Sequence, residues 1–181
     1  MSESSQQHLQ AAAESLKSRP ISCAVLTVSD TRTLQTDTGG SLIISHLEKA
    51  GHRVSQREIV KDEPHQIGVC LTNWLNLPDI HAILTTGGTG IARRDTTIEV
   101  VRSLITTELE GFCELFRMIS YSQVQAAAML SRAVAGLVVR PPQLGCDTFI
   151  FSMPGSTNAV ETAMSNLIIP QLPHLVWERT R

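Results

Sequence analysis

The chain has 181 residues, with 15 Lys and Arg against 17 Asp and Glu for a net charge of −2, so it offers no basic face for general nucleic-acid binding. A hydrophobic content of 42% beside 18% charged residues describes a globular chain with room for a sizeable core. The apolar runs are too short to span a bilayer and residues 1–20 lack a signal-like apolar segment, so no membrane contact and a cytoplasmic location are expected.

In chain order, residues 1–19 read as a polar tail, disordered through Ser2-Glu3-Ser4-Ser5-Gln6-Gln7 with a short helix over 9–16. Residues 20–181 read as a single domain. A buried strand is expected over 21–28, with a loop from Ser29. Gly39-Gly40 precede a helix over about 41–50, stopped by Gly51. A second strand follows over 53–60, a turn at Lys61-Asp62-Glu63-Pro64, and a helix from Pro64 to about Leu77. The third strand covers 81–86. Helices are then expected over 98–109, 112–120 and 124–135, strands over 137–140 and 148–151, and a last helix over 157–168.

Alternating strands and helices of this kind specify an α/β fold: a mostly parallel central sheet with helices on both faces, a three-layer sandwich. Such crossovers bring the carboxyl ends of the strands to one edge of the sheet. Asp30, Asp62 and Asp95 each fall just past a strand end, so residues distant in sequence are expected to become neighbours.

The most informative segment is Thr85-Thr86-Gly87-Gly88-Thr89-Gly90-Ile91-Ala92-Arg93-Arg94-Asp95-Thr96-Thr97. Glycines between a strand and a helix let backbone amides approach an anion, and the helix start adds its positive end. No Gly-Lys-Ser/Thr closes the turn as in a Walker loop, and Arg93 stands where the last glycine of a dinucleotide fingerprint belongs. A carboxylate beside a phosphate repels it unless a divalent cation lies between, so Asp95 suggests a magnesium-dependent nucleotide or phosphoester site. The same residues also fit a plain strand-to-helix turn with Asp95 or Thr96 as N-cap and with Arg93 and Arg94 solvated or paired. Asp30 fits either a ligand contact or a loop cap. Pro154-Gly155-Ser156 marks a second strand-to-helix turn, readable as a ligand site or as a Ser-capped helix. Cys23, Cys70, Cys113 and Cys146 lie far apart, without the paired spacing of a metal site, and read as reduced thiols.

The sequence resembles the molybdenum cofactor biosynthesis proteins of the MoaB/MogA type, related to the gephyrin G domain. The matching segments are Leu26-Thr27-Val28-Ser29-Asp30, the turn from Thr85 to Gly90 with Arg94-Asp95, and Gly111-Phe112 with Phe116-Arg117-Met118-Ile119-Ser120. Leu130-Ser131-Arg132-Ala133 and Met153-Pro154-Gly155-Ser156 complete the set, and the second half is closer to the MoaB branch. The resemblance implies adenylylation of molybdopterin, with MgATP donating AMP to the pterin's terminal phosphate and pyrophosphate leaving. It implies Asp62 and Asp95 as the functional acids that hold Mg²⁺ through the phosphates, and Gly87, Gly88, Thr89 and Gly90 around the nucleotide phosphates. Ser29, Asp30, Ser131, Arg132, Pro154, Gly155 and Ser156 would line the substrate pocket, and the assembly would be a homotrimer or homohexamer. Some MoaB members lack the acid equivalent to Asp62; this chain keeps it. Rival readings are a non-catalytic molybdopterin-binding scaffold, a phosphohydrolase using the same metal-assisted site with water as nucleophile, and, least of all, a Rossmann oxidoreductase.

Overall fold

The computed structural model describes residues 20–180, so the expectations for the 1–19 tail lie outside the described residues. Six strands form one sheet in the order β2-β1-β3-β6-β5-β4. Their ranges are β1 Ser22–Val28, β2 Arg53–Val60, β3 Ala82–Thr86, β4 Thr107–Glu108, β5 Val134–Val138 and β6 Thr148–Met153. β2, β1, β3 and β6 run parallel, while β5 lies antiparallel to both β6 and β4. The helices are α1 Thr38–Lys49, α2 Pro64–Leu75, α3 Thr97–Leu104, α4 Glu110–Val124, α5 Thr157–Ala163 and α6 Ile169–Thr180.

β1 shows why this sequence makes a central strand. All seven of its residues are buried. Cys23 and Val25 pack into one core with Ile43 and Leu47 of α1, Phe116 of α4, and Val160 and Leu172. The alternate residues, Ala24, Leu26 and Val28, pack into a second core with Ile67, Leu71 and Trp74 of α2 and Ile98 and Val101 of α3. A strand buried on both faces has no solvent-facing side, which is why it is mostly apolar, and its two hydroxyl residues are hydrogen-bonded: Ser22 to Ser55 and Thr27 to Asp37. The expected α/β three-layer sandwich is the observed architecture.

The ends of the elements follow from local chemistry. Gly51 takes φ +81°, with its N–H on the Glu48 carbonyl and the His52 N–H on the Leu47 carbonyl, a Schellman close to α1. Helix α1 starts three residues earlier than expected because Asp37 caps it: Asp37 Oδ1 accepts the Gly40 N–H at 2.8 Å.

The second half departs further from the sequence reading. The helix expected over 98–109 stops at Leu104, and Thr107–Glu108 joins the sheet edge as β4. The helix expected over 124–135 is a 3-10 segment, Gln125–Leu130, followed by strand β5 from Val134. Gln125 breaks α4 by adopting φ +51°, Ala126-Ala127-Ala128 continue as the 3-10 segment, and pairing with β6 holds the chain extended from Val134, so the strand expected over 137–140 starts three residues earlier. After α5 the chain passes through a π-helical turn, Met164–Ile168, into α6, for which no element was expected.

Candidate active site

β1, β2, β3 and β6 are parallel, so the loops after Val28, Val60, Thr86 and Met153 emerge on one edge of the sheet. The strand order reverses around β1 and β3: α1 leaves β1 over one face and α2 leaves β2 over the other. Loops that diverge at such a switch point leave a crevice between them, the usual place for a ligand in an open α/β sheet. A cleft of about 90 Å³ lies there, lined by Ser29, Arg32, Asp37, Gly39, Thr86 and Gly155 among others.

The glycine turn begins at the edge of this cleft, where Gly87 is part of the lining. Gly87 and Gly88 have φ of +94° and +61°, a region that side chains rarely enter. A Cβ on Gly87 would strike the Val28 carbonyl, and one on Gly88 would strike the Thr97 hydroxyl and lie 2.8 and 2.9 Å from the Asp62 carboxylate oxygens. A Cβ on Gly90 would lie 2.5 Å from Asp95 Oδ2, and one on Gly155 3.2 Å from the Gly87 Cα. The glycines are therefore packing requirements that let two carboxylates and a second turn close in on one backbone segment. The N–H groups of Gly88, Thr89 and Gly90 meet no backbone acceptor among the described residues. They remain available to an anion.

The three acids converge as their positions past strand ends suggest. The Asp62 N–H donates to Asp30 Oδ1 at 3.3 Å, and Arg94 donates to Asp30 Oδ2 at 2.9 Å, so Asp30 ties the first two loops to the glycine turn. The Thr96 N–H points at Asp62 Oδ1 at 3.5 Å, and Thr96 itself makes no side-chain cap. A carboxylate from the neighbouring strand thus stands at the start of α3 where a local cap is usual. Asp95 does not cap α3 either; its Oδ2 accepts the Ala92 N–H at 2.8 Å within the turn. Burial raises the Asp62 pKa above the ordinary carboxylate value, the Thr96 N–H opposes this, and the negative charges of Asp95 and Asp30 add to it. Mutual repulsion among carboxylates is what a bound cation relieves.

The donor set fits Mg²⁺ in the form carried by a nucleotide. No group of three His, Cys, Asp or Glu among the described residues forms a metal cage. Mg²⁺ keeps most of its waters and takes one or two carboxylates together with substrate phosphates, and Asp62 and Asp95 flanking free amides supply that number.

The remaining expected residues fall into two groups. Ser29 and Gly155 line the cleft, and Pro154 is drawn to β3 by the Thr86 hydroxyl, which donates to its carbonyl at 3.1 Å. Ser156 caps α5 through the Ala159 N–H at 3.2 Å, the Ser-capped helix its sequence allowed. Ser131 precedes Arg132, whose guanidinium donates to the Thr89 carbonyl at 2.9 Å and is directed at the turn's backbone. Sequence reading passed over Asp37, a buried side chain that also accepts from the Thr27 hydroxyl at 2.9 Å and from Arg57 at 3.0 Å. Its place just before Thr38-Gly39-Gly40 is an N-cap signal. Thr97 was missed too: it is fully buried against Gly88, and its hydroxyl has no partner among the described residues.

Residues 24–174 match the family described as probable molybdopterin binding domain. The chain belongs to that family. It is 50% identical to the molybdenum cofactor biosynthesis protein B of Staphylococcus carnosus over 166 residues, covering 90% of this chain and 93% of that one. Identity to the protein of the same name from Bacillus cereus is 44% over 164 residues, with the same coverage. A crystal structure of a molybdenum cofactor biosynthesis protein B superposes with a TM-score of 0.82 at 45% identity, covering 88% of this chain and 96% of that one. The tungsten cofactor synthesizing protein MoaB from Pyrococcus furiosus superposes with a TM-score of 0.80 at 34% identity, covering 90% and 99%. The resemblance to the MoaB/MogA type therefore holds over nearly the whole described fold. Membership places the protein in molybdenum cofactor biosynthesis and makes the crevice at the strand ends the candidate molybdopterin site.

Proposed function

We propose that the protein adenylylates molybdopterin. A terminal phosphate oxygen of molybdopterin attacks the α-phosphorus of ATP, the bond from that phosphorus to the bridging oxygen breaks, and pyrophosphate leaves with the electron pair. The observation that carries this reading is the meeting of Asp62 and Asp95 at a glycine turn with free amides, in a chain of the molybdopterin-binding family. Joining two polyanions is limited by charge and alignment, and no covalent intermediate on the protein is needed. The amides of Gly88, Thr89 and Gly90 take the nucleotide phosphates, while the Gly87 N–H, although expected in the cradle, is held by the Met153 carbonyl at 3.2 Å. Asp62 and Asp95 hold Mg²⁺, which neutralises phosphate charge when bound. Ser29 and Gly155 border the remaining space for the pterin.

Purified protein is expected to release pyrophosphate from ATP only when molybdopterin and Mg²⁺ are both present. Phosphate or AMP release without pterin would instead indicate a phosphohydrolase. Tight pterin binding without release would indicate a scaffold that keeps the pocket without turnover.

We also propose that the protein works as a homotrimer or homohexamer. Leu115, Met118, Tyr121 and Val124 on α4 and Met129 beyond it are all exposed large apolar side chains, of the kind that a subunit interface covers. Sedimentation equilibrium should give three or six times the 19.8 kDa chain mass. A monomeric mass would remove this proposal.

A further inference from the structure

The turn from Gly87 to Thr96 carries both proposed cradle amides and Asp95, yet it is a loop with few backbone hydrogen bonds of its own. Asp95 N–H closes on the Ala92 carbonyl at 2.9 Å, and Thr97 N–H on the Gly88 carbonyl at 3.0 Å. A further tie between its two halves comes from elsewhere in the chain. Arg132 Nε donates to the Thr89 carbonyl at 2.9 Å and Arg132 Nη2 to the Asp95 carbonyl at 3.2 Å. One planar guanidinium therefore spans the segment between Thr89 and Asp95 from below. The guanidinium is in turn fixed by Glu99, in the first turn of α3, which accepts from Nη1 at 2.5 Å and from Nη2 at 3.4 Å. Arg132 is anchored by position, two residues before Val134, which pairs with Ser152 of β6. The fork connects the glycine turn to the start of β5.

We infer that Arg132 and Glu99 form a clamp that sets the shape of the glycine turn, so that Arg132 is a positioning residue acting through Asp95 and the cradle amides and does not contact substrate. This rests on the adenylylation reading for its effect on rate, though not for its effect on the turn. Four of the five N–H donors of Arg132 go to two backbone carbonyls and a carboxylate. Its charge lies against the turn, and Glu99 is held below the usual carboxylate range by it. Lysine in its place would keep the charge and lose the fork.

The test compares Arg132→Met, Arg132→Lys and Glu99→Gln with the wild-type protein. Amide hydrogen exchange is read peptide by peptide, and kcat, KM for ATP and the Mg²⁺ concentration for half-maximal rate are read by pyrophosphate release. Arg132→Met should speed exchange in residues 88–96 and leave β1 and β3 protected. It should lower kcat about a hundredfold, the scale of loss for a small misplacement of reacting groups, and raise the Mg²⁺ requirement. Arg132→Lys should fall between, and Glu99→Gln should move the same quantities by less. Wild-type exchange across residues 88–96 in Arg132→Met overturns the clamp. Faster exchange with unchanged kcat overturns the positioning role and leaves Arg132 structural. If Arg132→Met does not fold, Arg132→Lys and Glu99→Gln decide the same questions. If the wild-type protein proves inactive, the adenylylation reading fails alone, and the exchange comparison still decides the clamp.

Discussion

If the protein adenylylates molybdopterin as proposed, Asp62→Asn and Asp95→Asn should each lower the rate by about a hundredfold or more while molybdopterin affinity stays within about threefold of wild type. Asparagine keeps the shape and the carbonyl acceptor of each side chain, so Thr96 N–H and Ala92 N–H retain their partners. What is lost is the negative charge facing the phosphates. For Asp62 the stability consequence has the opposite sign. Its folded-state pKa lies above the ordinary value, chiefly through burial, so the folded chain binds the proton more tightly than the unfolded one. Stability contributed by the protonated form is then lost as pH rises from the ordinary carboxylate value through the raised one. Asp62→Asn removes that loss, and at neutral pH the variant should melt no lower than wild type. A site that costs stability and carries turnover is expected where function sets the sequence. In the metal-free protein Asp62 should titrate above the ordinary carboxylate value, chiefly because of its burial, and Asp62→Asn should remove that titration from a carboxyl-region NMR profile. Near wild-type rates in either variant would take that residue out of the catalytic set.

Gly88→Val should remove measurable ATP binding and destabilise the fold. Gly88 sits at φ +61°, where a β-branched residue is strained by about 1–3 kcal/mol. The added Cβ would collide with the Thr97 hydroxyl and press on both Asp62 oxygens, and the γ-methyl groups would enter the space meant for phosphate. The loss therefore combines backbone strain, displacement of Asp62 and a blocked cradle. Gly88→Ala separates them: it keeps the collision with Thr97 and removes the γ-methyl groups, so ATP binding should weaken less than in the valine variant. Thr97→Ser beside Gly88→Ala would not relieve the clash, because the offending atom is the hydroxyl itself. Isothermal titration with a non-hydrolysable ATP analogue reads affinity, and thermal melting reads stability. Unchanged affinity in Gly88→Val would sink the assignment of the glycine turn to the nucleotide.

Legibility in the sequence followed from how local each interaction is. β1, β2, β3, α1 and α2 were readable within a few residues because apolar runs, Gly51 and Pro64 mark their limits chemically. The convergence of Asp30, Asp62 and Asp95 was readable as well, since parallel crossovers place all such positions on one edge whatever the details. β5 was expected over 137–140 and starts at Val134; its first residues were hidden by a helix reading that ran on from Ala126-Ala127-Ala128, whereas the helical run ends as a 3-10 segment at Leu130. Helix α6 was obscured by Pro170 and Pro173, which discourage a helix reading, although the chain enters it from a π-helical turn and continues. The family motifs placed Arg132 among pocket residues. Its actual partners, the Thr89 and Asp95 carbonyls, are 43 and 37 residues away, and backbone carbonyls leave no trace in a sequence. Asp37 was readable in principle as an N-cap, but its buried links to Thr27 and Arg57 depend on the packing of α1 against β1 and β2.

The most direct test of the central claim follows the label from ATP. The protein is incubated with Mg²⁺, molybdopterin and ATP labelled at the α-phosphate, and the pterin product is isolated and counted. Adenylyl transfer predicts label on molybdopterin in one-to-one ratio with released pyrophosphate, and none there when the label is at the γ-phosphate. Label that stays in AMP or ATP while molybdopterin is bound and unmodified would contradict the account.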